Sequence, residues 1–335
     1  MDVIHNPVDF PLALRGCALC VGNFDGVHIG HGRMLATGRQ TAIRNERPFV
    51  IMTFDPHPIT LLKPGLHRPA LMTLDQRLAA LRGFGPDALI LIQTSSEFLD
   101  IGAEAFMART LHESLGANWL VEGENFTFGK GARGTVQTLL ENESRFGWKT
   151  IVVPTAQATL ADQTLVNASS SLVRWLVAHG RMRDARTLLG RPYTLRGAVE
   201  HGDSRGRLLG YPTVNLRVDQ LVPADGVYGG WARLGEATYR AAISIGTNPT
   251  FHGTDRRIEA FLLDFNQDIY EQTIDLGFEI FVRDQQTFAG PETLRQQIAR
   301  DVKAILETPA FGGPDAMMPT SGRSPHHAVG DAERV

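Results

Sequence analysis

Short apolar runs alternate with longer amphipathic segments through the first half of the chain. Each run is apolar at consecutive positions, which is typical of a strand buried on both faces at the centre of a parallel sheet. The intervening segments have helical periodicity. This alternation predicts a doubly wound α/β sheet with right-handed crossovers. The predicted strands are residues 19–21, 49–53, 88–92, 119–121 and 150–153, and the predicted helices are residues 31–44, 74–82 and 103–114.

The sequence pattern changes near residue 190. Residues 169–189 predict two short helices that break at Gly180. Beyond them, segments bearing Thr, Val and Tyr are interrupted by Gly or Pro about every ten residues, which is typical of an antiparallel barrel or sandwich. A single helix is predicted at residues 291–306.

The length of 335 residues predicts two domains. We place an α/β domain at residues 1–189 and a β-barrel domain at residues 190–307. Residues 308–335 are rich in Pro, Gly, Ser and His and have no apolar periodicity. This composition predicts a disordered tail.

Charge and composition narrow the possible functions. The net charge is −3, from 33 Lys and Arg against 36 Asp and Glu. A protein that binds a long nucleic acid usually has a net positive charge or a basic stripe, and this sequence shows neither. No apolar run approaches the roughly 18 residues needed to cross a bilayer, and the N-terminus lacks a signal-peptide pattern. We therefore expect a cytoplasmic protein that binds neither nucleic acid nor a membrane, and that is a monomer or a weak homo-oligomer.

The segment GNFDGVHIGH, residues 22–31, follows a predicted strand and opens a predicted helix. Its three glycines let the backbone turn tightly and approach a ligand closely. The N–H groups of a helix N-terminus attract phosphate. His28 and His31 are placed to donate hydrogen bonds to charge that develops on a phosphate. An isolated histidine pair would favour an ordinary exposed turn, but the glycines and the strand–helix context favour a phosphate site.

A second pattern in this region imitates a Cys₂His₂ zinc site, because Cys17 and Cys20 precede His28 and His31. The gap between the two pairs is shorter than the roughly 12 residues usual in a zinc finger. Odd spacing on a strand also points the two cysteine side chains to opposite faces. We therefore interpret both cysteines as core residues.

Three further segments of the first half carry polar residues suited to nucleotide binding. His57 lies between two prolines after the second predicted strand, and Asn125 lies just past the end of another. Ser170 and Ser171 begin a predicted helix, and Arg174 follows one turn later. Hydroxyls, helix N–H groups and a fixed cation together suit a triphosphate. Each residue alone would be an ordinary cap, turn or surface residue.

The second half contains a glycine-rich segment, GDSRGRLLGYPTVN, at residues 202–215. Its first five residues match the G-x-S-x-G elbow of hydrolases, but that elbow must lead into a helix and Pro212 prevents one. The better interpretation is a flap near a phosphate that includes Gly202, Arg207 and Gly210.

Thr213 and Asn215 follow this flap on one face of an extended strand. Hydroxyl and amide oxygens of this kind suit Mg²⁺ that bridges nucleotide phosphates. The chain contains neither a Walker A sequence nor the protein-kinase motif set. A kinase built on these residues therefore needs another fold.

The motifs of the first half resemble, in order, those of the bacterial bifunctional riboflavin kinase/FAD synthetases. Residues 22–31 are similar to the HxGH signature of nucleotidyltransferases in the GNFDGVHxGH form of that family. Residues 53–58 and 123–129 resemble the TFDPHP and NFxFG segments. Residues 169–174 resemble SSTxIR, with Ser171 keeping the hydroxyl where the family has Thr.

The second half resembles the riboflavin kinase module of the same family. Residues 202–215 resemble the flap and the PTxN motif, and residues 226–228 the GVY turn. Residues 245–251 resemble IGxxPTF, and residues 258–264 the segment with the family's catalytic Glu. The ordered set spans about residues 15–306 and is far more specific than any single motif.

The resemblance implies two activities that use ATP. The barrel domain would transfer the γ-phosphoryl group of Mg²⁺–ATP to riboflavin and give FMN, with Glu259 as the base and Thr213 and Asn215 as metal ligands. The α/β domain would join FMN to a second ATP and give FAD and pyrophosphate, with His28 and His31 acting on the reacting phosphate. The other residues implied in ATP or phosphate binding are Gly22, Phe24, Gly30, His57, Asn125, Ser170, Ser171, Arg174, Gly202, Arg207 and Gly210.

Two alternatives remain open on the sequence alone. In one, only one domain is active and the other binds flavin. In the other, the chain is a flavin-sensing regulator without turnover. The motif set in both halves argues against the first, and a regulator has no use for His28, His31 and Glu259 together.

Overall fold

The computed structural model of this chain describes residues 3–66, 68–201, 206, 210–247 and 256–308. Its strands are β1 (Val3–Ile4), β2 (Ala18–Val21), β3 (Phe49–Asp55), β4 (Ala88–Gln93), β5 (Trp119–Gly123), β6 (Thr127–Phe128), β7 (Gly134–Thr135), β8 (Lys149–Val153), β9 (Gln157–Thr159), β10 (Leu165–Asn167), β11 (Tyr193–Glu200), β12 (Thr213–Arg217), β13 (Gly226–Leu234), β14 (Ala237–Gly246), β15 (Arg257–Leu262) and β16 (Thr273–Arg283). Its α-helices are α1 (Ile29–Arg44), α2 (Pro58–Leu62), α3 (Leu74–Arg82), α4 (Ser96–Leu99), α5 (Ala103–Ala105), α6 (Val136–Glu141), α7 (Glu143–Phe146), α8 (Ser170–Ala178), α9 (Met182–Leu189) and α10 (Pro291–Glu307). A π-helix, Phe106–Ser114, continues α5, and short 3₁₀ turns lie at Pro7–Asp9, Leu12–Leu14 and Lys130–Ala132.

A parallel sheet with the order β1-β4-β3-β2-β5-β8 forms the first half of the molecule. Its side chains alternate between two hydrophobic clusters. Ala18 and Cys20 pack on the side of α1 and α3. Leu19 and Val21 pack on the side of the π-helix and α6. Helices therefore cover both faces, and the predicted doubly wound sheet is confirmed.

The two cysteines are free and fully buried. Cys17 belongs to the cluster on one face of the sheet and Cys20 to the cluster on the other. Burial raises the pKa of the Cys17 thiol to about 12. Among the described residues, no group of three or more His, Cys, Asp and Glu side chains is arranged to hold a metal. The prediction that both cysteines are core residues is confirmed.

The second half of the molecule contains a closed antiparallel barrel with the order β11-β12-β15-β14-β13-β16. Leu195, Ile243 and Phe278 are among the fully buried side chains of its interior. The barrel is one of the two architectures predicted for this half. Helix α10 follows it, and Arg240 of the barrel donates hydrogen bonds to the carbonyls of Ile305 (2.8 Å) and Leu306 (3.0 Å) at the C-terminal end of that helix.

Helices α8 and α9 connect the sheet to the barrel. Their buried side chains, Leu176 and Leu188 among them, belong to the same hydrophobic cluster as the barrel interior. Polar contacts add to this junction. The buried Gln220 donates from Nε2 to the carbonyl of Leu71 (3.1 Å), and the N–H of Leu221 donates to the carbonyl of Ala70 (2.9 Å). The barrel is therefore packed and hydrogen-bonded to the first half of the chain.

Close backbone packing in the barrel makes a testable prediction at Gly230. A Cβ atom at Gly230 would lie 1.9 Å from the carbonyl oxygen of Gly277 on the neighbouring strand, so β13 and β16 would have to separate. We expect Gly230→Ala to lower the free energy of unfolding by at least about 2 kcal/mol. The measurement is the urea midpoint followed by tryptophan fluorescence, since Trp231 lies beside the site. Gly290→Ala is the matched control, because nothing lies within 4 Å of its Cβ position. An equal midpoint for the two variants would contradict the prediction.

Candidate active sites

A cleft of about 710 Å³ opens at the carboxyl ends of the parallel strands. Strand β2 pairs with β3 on one side and β5 on the other, so the strand order changes direction at this point. Ligands of doubly wound sheets bind at such switch points. The residues predicted from sequence that line the cleft are Gly22, Phe24, His28, Gly30, His31, His57 and Asn125.

His28 is the N-cap of α1. Its Nδ1 accepts hydrogen bonds from the backbone N–H groups of Gly30 (3.1 Å) and His31 (3.3 Å). An Nδ1 that accepts two hydrogen bonds leaves the proton of the neutral ring on Nε2. The rings of His28 and His31 are stacked, with centroids 3.7 Å apart and an interplanar angle of 18°. His28 is only 6% exposed, so the pair does not lie on an ordinary exposed turn.

Burial controls the charge of both histidines. Desolvation lowers the pKa of His28 to about 4, and the positive charge of Arg191 is the second cause. Desolvation also lowers the pKa of His31 well below its ordinary value, with His28 and Arg191 as further causes. Both rings are therefore neutral at pH 7. His28 can donate from Nε2 without first taking up a proton.

The loop between β2 and α1 contains an aspartate that sequence reasoning missed. Asp25 is 4% exposed, and its carboxylate accepts hydrogen bonds from the N–H groups of Leu71 (3.0 Å) and Met72 (3.2 Å). It also pairs with Arg174. The sequence did contain a signal, because a carboxylate is unexpected in a glycine-rich loop predicted to bind phosphate. A negative charge at that position needs a positively charged partner.

The predicted phosphate ligands at the start of α8 lie behind this loop. Ser170 donates from its hydroxyl to the carbonyl of Asp25 (2.7 Å), and Arg174 pairs with the carboxylate of Asp25. Neither side chain lines the cleft. Ser171 contacts Arg68 at 3.4 Å, and Arg68 does line it. Nη1 of Arg174 is buried and has no hydrogen-bond partner within the described part of the chain. Phosphate binding by these residues stays a prediction.

His57 and Asn125 lie at the ends of β3 and β5. His57 accepts a hydrogen bond from the N–H of Ile59 (3.2 Å) and so caps α2. Desolvation lowers its pKa to about 4, and the nearby Arg68 adds to this effect. Asn125 is exposed and donates from Nδ2 to the hydroxyl of Thr155 (3.4 Å). Both side chains face the cleft that contains the stacked histidines, as the prediction requires.

One wall of the cleft is aromatic. A chain of ring contacts with centroid separations of 5.6 to 6.3 Å runs along it. Rings at these separations form an apolar surface on which a flat heteroaromatic group can pack. The sequence alone did not indicate which aromatic residues would meet here. They are Phe54, Phe98, Phe106, Phe126 and Phe128.

Glu122 on β5 is a buried acid at the cleft, and sequence reasoning also missed it. It is 1% exposed, and its Oε1 accepts a hydrogen bond from the N–H of Val21 (2.8 Å). Its Oε2 has no hydrogen-bond partner among the described residues. Burial raises the pKa of this carboxyl well above its ordinary value. Burial therefore favours the neutral carboxylic acid form of Glu122.

A second candidate site lies on the outer surface of the barrel. Leu216 and Ala260 face the interior, so the alternating residues Thr213, Asn215 and Glu259 lie on the outer face. Asn215 and Glu259 are direct cross-strand partners of β12 and β15. The strand register therefore brings together the predicted metal ligand and the predicted base.

The residues of this site fit a hard cation. Oδ1 of Asn215 is buried and accepts no hydrogen bond from any described residue. Thr213 places its hydroxyl on the same face of the strand, two residues earlier. Amide and hydroxyl oxygens are ligands that Mg²⁺ accepts. Gly210, before this strand, has φ +83°, a conformation that favours glycine. The predicted residues Gly202 and Arg207, and the tail from residue 309, lie outside the described residues.

The buried acid Glu122 makes a prediction for stability. Above an ordinary pKa of about 4.5, the unfolded chain loses this proton while the folded chain keeps it. The free energy of unfolding contributed by Glu122 therefore falls as pH rises. We expect Glu122→Gln to gain stability relative to the unmodified chain between about pH 5 and pH 8. Urea midpoints across this range measure the difference. Glu236→Gln, at an exposed position, is the control. A difference independent of pH would contradict the prediction.

Comparison with known families matches the chain in two regions. A family model described as FAD synthetase matches residues 11–166, and one described as riboflavin kinase matches residues 189–308. The bifunctional riboflavin kinase/FMN adenylyltransferase of Escherichia coli K12 is 33% identical over 300 residues, which cover 89% of this chain and 94% of that protein. The protein of the same name from Haemophilus influenzae is 34% identical over 307 residues, which cover 90% of this chain and 97% of that protein.

The whole fold also has a counterpart among solved structures. A crystal structure described as a macrolide-efflux protein from Streptococcus pneumoniae matches with a TM-score of 0.79 at 32% identity, over 91% of this chain and 98% of that one. In the described part of this chain, no helix is both long enough and apolar enough to cross a membrane. Both halves of the chain are thus matched in order by relatives over nearly their full length. The chain belongs to the family of bifunctional riboflavin kinase/FMN adenylyltransferases.

Proposed function

We propose that this chain makes FAD from riboflavin in two steps, each using one ATP. Residues 190–307 phosphorylate riboflavin to FMN, and residues 1–189 adenylylate FMN to FAD with release of pyrophosphate. The observation that carries this proposal is that one chain contains both family matches, each over one of the two candidate sites. The substrates are riboflavin, FMN and ATP. We place the reactions in the cytoplasm, on a monomer or weak homo-oligomer that needs neither nucleic acid nor a membrane.

In the adenylyltransferase step, a phosphate oxygen of FMN attacks the α-phosphorus of ATP. A bond forms between these two atoms, the bond from the α-phosphorus to the β-phosphate bridge oxygen breaks, and pyrophosphate leaves. Negative charge grows on the α-phosphate oxygens. The neutral His28 ring donates from Nε2 to this charge, and its fixed orientation at the start of α1 avoids reorganisation during the step. His31 stacks on His28 and supports it.

The aromatic wall supports a place for the flavin ring. The isoalloxazine system is flat, and the cleft offers Phe98, Phe106 and Phe128 along one side. Asn125 and His57 line the same cleft and are our candidates for contacts to ATP, with Gly22, Phe24 and Gly30 shaping the loop.

At the start of α8 we assign Ser171 to the leaving phosphates, because it contacts Arg68 of the cleft, and Arg174 acts through its pair with Asp25. Ser170 contributes by holding the loop through the carbonyl of Asp25.

In the kinase step, Glu259 takes the proton of the ribityl 5′-hydroxyl. The hydroxyl oxygen bonds to the γ-phosphorus, the bond to the β-phosphate bridge oxygen breaks, and ADP leaves. Thr213 and Asn215 would hold Mg²⁺ through their side-chain oxygens. When bound, Mg²⁺ neutralises charge on the nucleotide phosphates. The flap residues Gly202, Arg207 and Gly210 contact these phosphates in our proposal.

Separate variants of the two sites test the assignment. We expect His28→Ala to abolish FAD formation and to leave FMN formation intact, because it removes the donor of the first site. We expect Glu259→Ala to abolish FMN formation and to leave FAD formation from supplied FMN intact. A chromatographic product assay with riboflavin or FMN, ATP and Mg²⁺ measures both reactions.

The matched controls for these variants are His179→Ala and Glu236→Ala, at positions outside both sites. Their turnover should equal that of the unmodified chain. Unchanged turnover in His28→Ala or Glu259→Ala would overturn the role of that residue. Neither product from the unmodified chain, with flavin still bound, would favour a binding protein without turnover.

The metal assignment makes a prediction of its own. Asn215→Ala removes the buried Oδ1 that no described residue satisfies. We expect the Mg²⁺ concentration for half-maximal FMN formation to rise by about tenfold or more. Titration of both activities with Mg²⁺ measures the effect, and FAD formation from FMN is the internal control because it uses the other site. An equal shift in both titrations would contradict the assignment.

A further inference from the structure

Arg191 lies on the short connection between α9 and the first barrel strand. Its guanidinium donates hydrogen bonds to the carbonyls of Gly26 (2.7 Å) and Val27 (3.1 Å). It also donates to the carbonyl of Leu189 at 3.0 Å, which ties the guanidinium back to its own segment. Gly26 and Val27 directly precede His28. A residue from the region matched by the riboflavin kinase model therefore holds the backbone of the adenylyltransferase loop.

The held segment has an unfavourable backbone conformation. Val27 has φ +37°, and Gly26 has φ +86°. A β-branched residue adopts such a conformation only where its surroundings impose it. The carbonyl groups of both residues point to the guanidinium of Arg191, and the side chain of Val27 is fully buried. Arg191 is thus one of the contacts that impose this conformation immediately before the N-cap of α1.

The positive charge of Arg191 also acts on the imidazole ring of His28. Desolvation is the largest cause that lowers the pKa of His28, and the charge of Arg191 is the second. The same charge is one of the causes that lower the pKa of His31. Desolvation lowers the pKa of Arg191 itself to about 10, so it stays positive at pH 7. A proton on Nδ1 of His28 would remove the acceptor for the N–H groups of Gly30 and His31. Because the positive charge of Arg191 disfavours this protonation, it helps to keep His28 as the N-cap of α1.

We propose that Arg191 is a positioning residue for adenylyl transfer: by holding the carbonyls of Gly26 and Val27 it fixes His28 in the cleft. This inference rests on the proposed adenylyltransferase function and adds that the FAD-forming site depends on a residue beyond α9. Arg191 has no hydrogen bond to any of the described residues assigned to the kinase step, so FMN formation reports separately on the fold of the barrel.

Two substitutions in the full-length chain test this role. Arg191→Met removes both the hydrogen bonds and the charge, and Arg191→Lys keeps the charge but not the paired donor geometry. We expect Arg191→Met to lower kcat for FAD formation about 100-fold, since small displacements of catalytic groups have effects of this size. FMN formation should be unchanged. Arg196→Met is the matched control, because Arg196 lies five residues further along the chain and pairs with Asp275 of the neighbouring barrel strand β16.

The pH profile of FAD formation separates positioning from a general loss of stability. In Arg191→Met the acid limb should shift to higher pH, because the pKa of His28 rises when the neighbouring cation is removed. In Arg191→Lys kcat should fall while the acid limb stays where it is in the unmodified chain. A merely structural role would lower both activities together and leave the profile unmoved.

The outcomes are distinct. If the unmodified chain forms no FAD from FMN and ATP, the proposed function fails. If it forms FAD and both Arg191 variants match its kcat, the inference fails while the function stands. If Arg191→Met loses both activities, Arg191→Lys decides: a selective loss of FAD formation supports the inference, and the unmodified rate overturns it.

Discussion

The buried carboxylate of Asp25 joins three segments that lie far apart in the chain. It belongs to the loop after β2, accepts hydrogen bonds from the backbone that leads into α3, and pairs with Arg174 on α8. Removing one member of such a pair leaves an uncompensated buried charge, which typically costs about 3–5 kcal/mol. The same charge therefore fixes three positions: those of the loop with the histidines, the start of α3 and helix α8. The stacked arrangement of His28 and His31 depends on these contacts as well as on their own sequence.

The two candidate sites are built in different ways. The proposed adenylyltransferase site depends on loop backbone at the ends of parallel strands, where Phe24 and Val27 both have positive φ. Side chains from outside the loop, Ser170 and Arg191, hold its carbonyl groups in place. The proposed kinase site lies on the strands themselves. There, the pairing of Asn215 with Glu259 follows from strand register, which the buried face of the barrel strongly specifies.

Much of the fold could be predicted because local pattern and tertiary context agree. Four of the five predicted strands, β2 to β5, are interior strands with buried apolar runs, whereas β8 is an edge strand on which Val152 is exposed. Helix α3 begins and ends as predicted, with Thr73 and Gln76 forming a capping box at its start. Strand β1 and helices α2 and α4 were missed, because two to five residues are too few to show a period. The predicted helix of residues 103–114 is real, but most of it is π-helical, which periodicity did not distinguish.

The candidate sites were only partly predictable for a related reason. His28, His31, Thr213 and Asn215 lie in contiguous motifs whose residue types and spacing singled them out, and the family resemblance added Glu259. The supporting residues act across the chain: Ser170 and Asp25 are 145 residues apart, and Arg191 and Gly26 are 165 apart.

The boundary between the two halves of the chain falls at a different place when it is drawn by hydrophobic packing than when it is drawn by sequence motifs. The sequence motif at the start of α8 was predicted to belong to the adenylyltransferase half, yet the apolar faces of α8 and α9 share one hydrophobic cluster with the barrel. Arg174 and Arg191 extend from this shared region to the two ends of the Asp25–Val27 segment. The loop that carries the histidines is thus held by a cation at each end, and both cations are anchored on the side of the barrel. Because Arg174 and Arg191 lie on segments that pack with the barrel core, the packing of that core contributes to the geometry of the site at the edge of the parallel sheet.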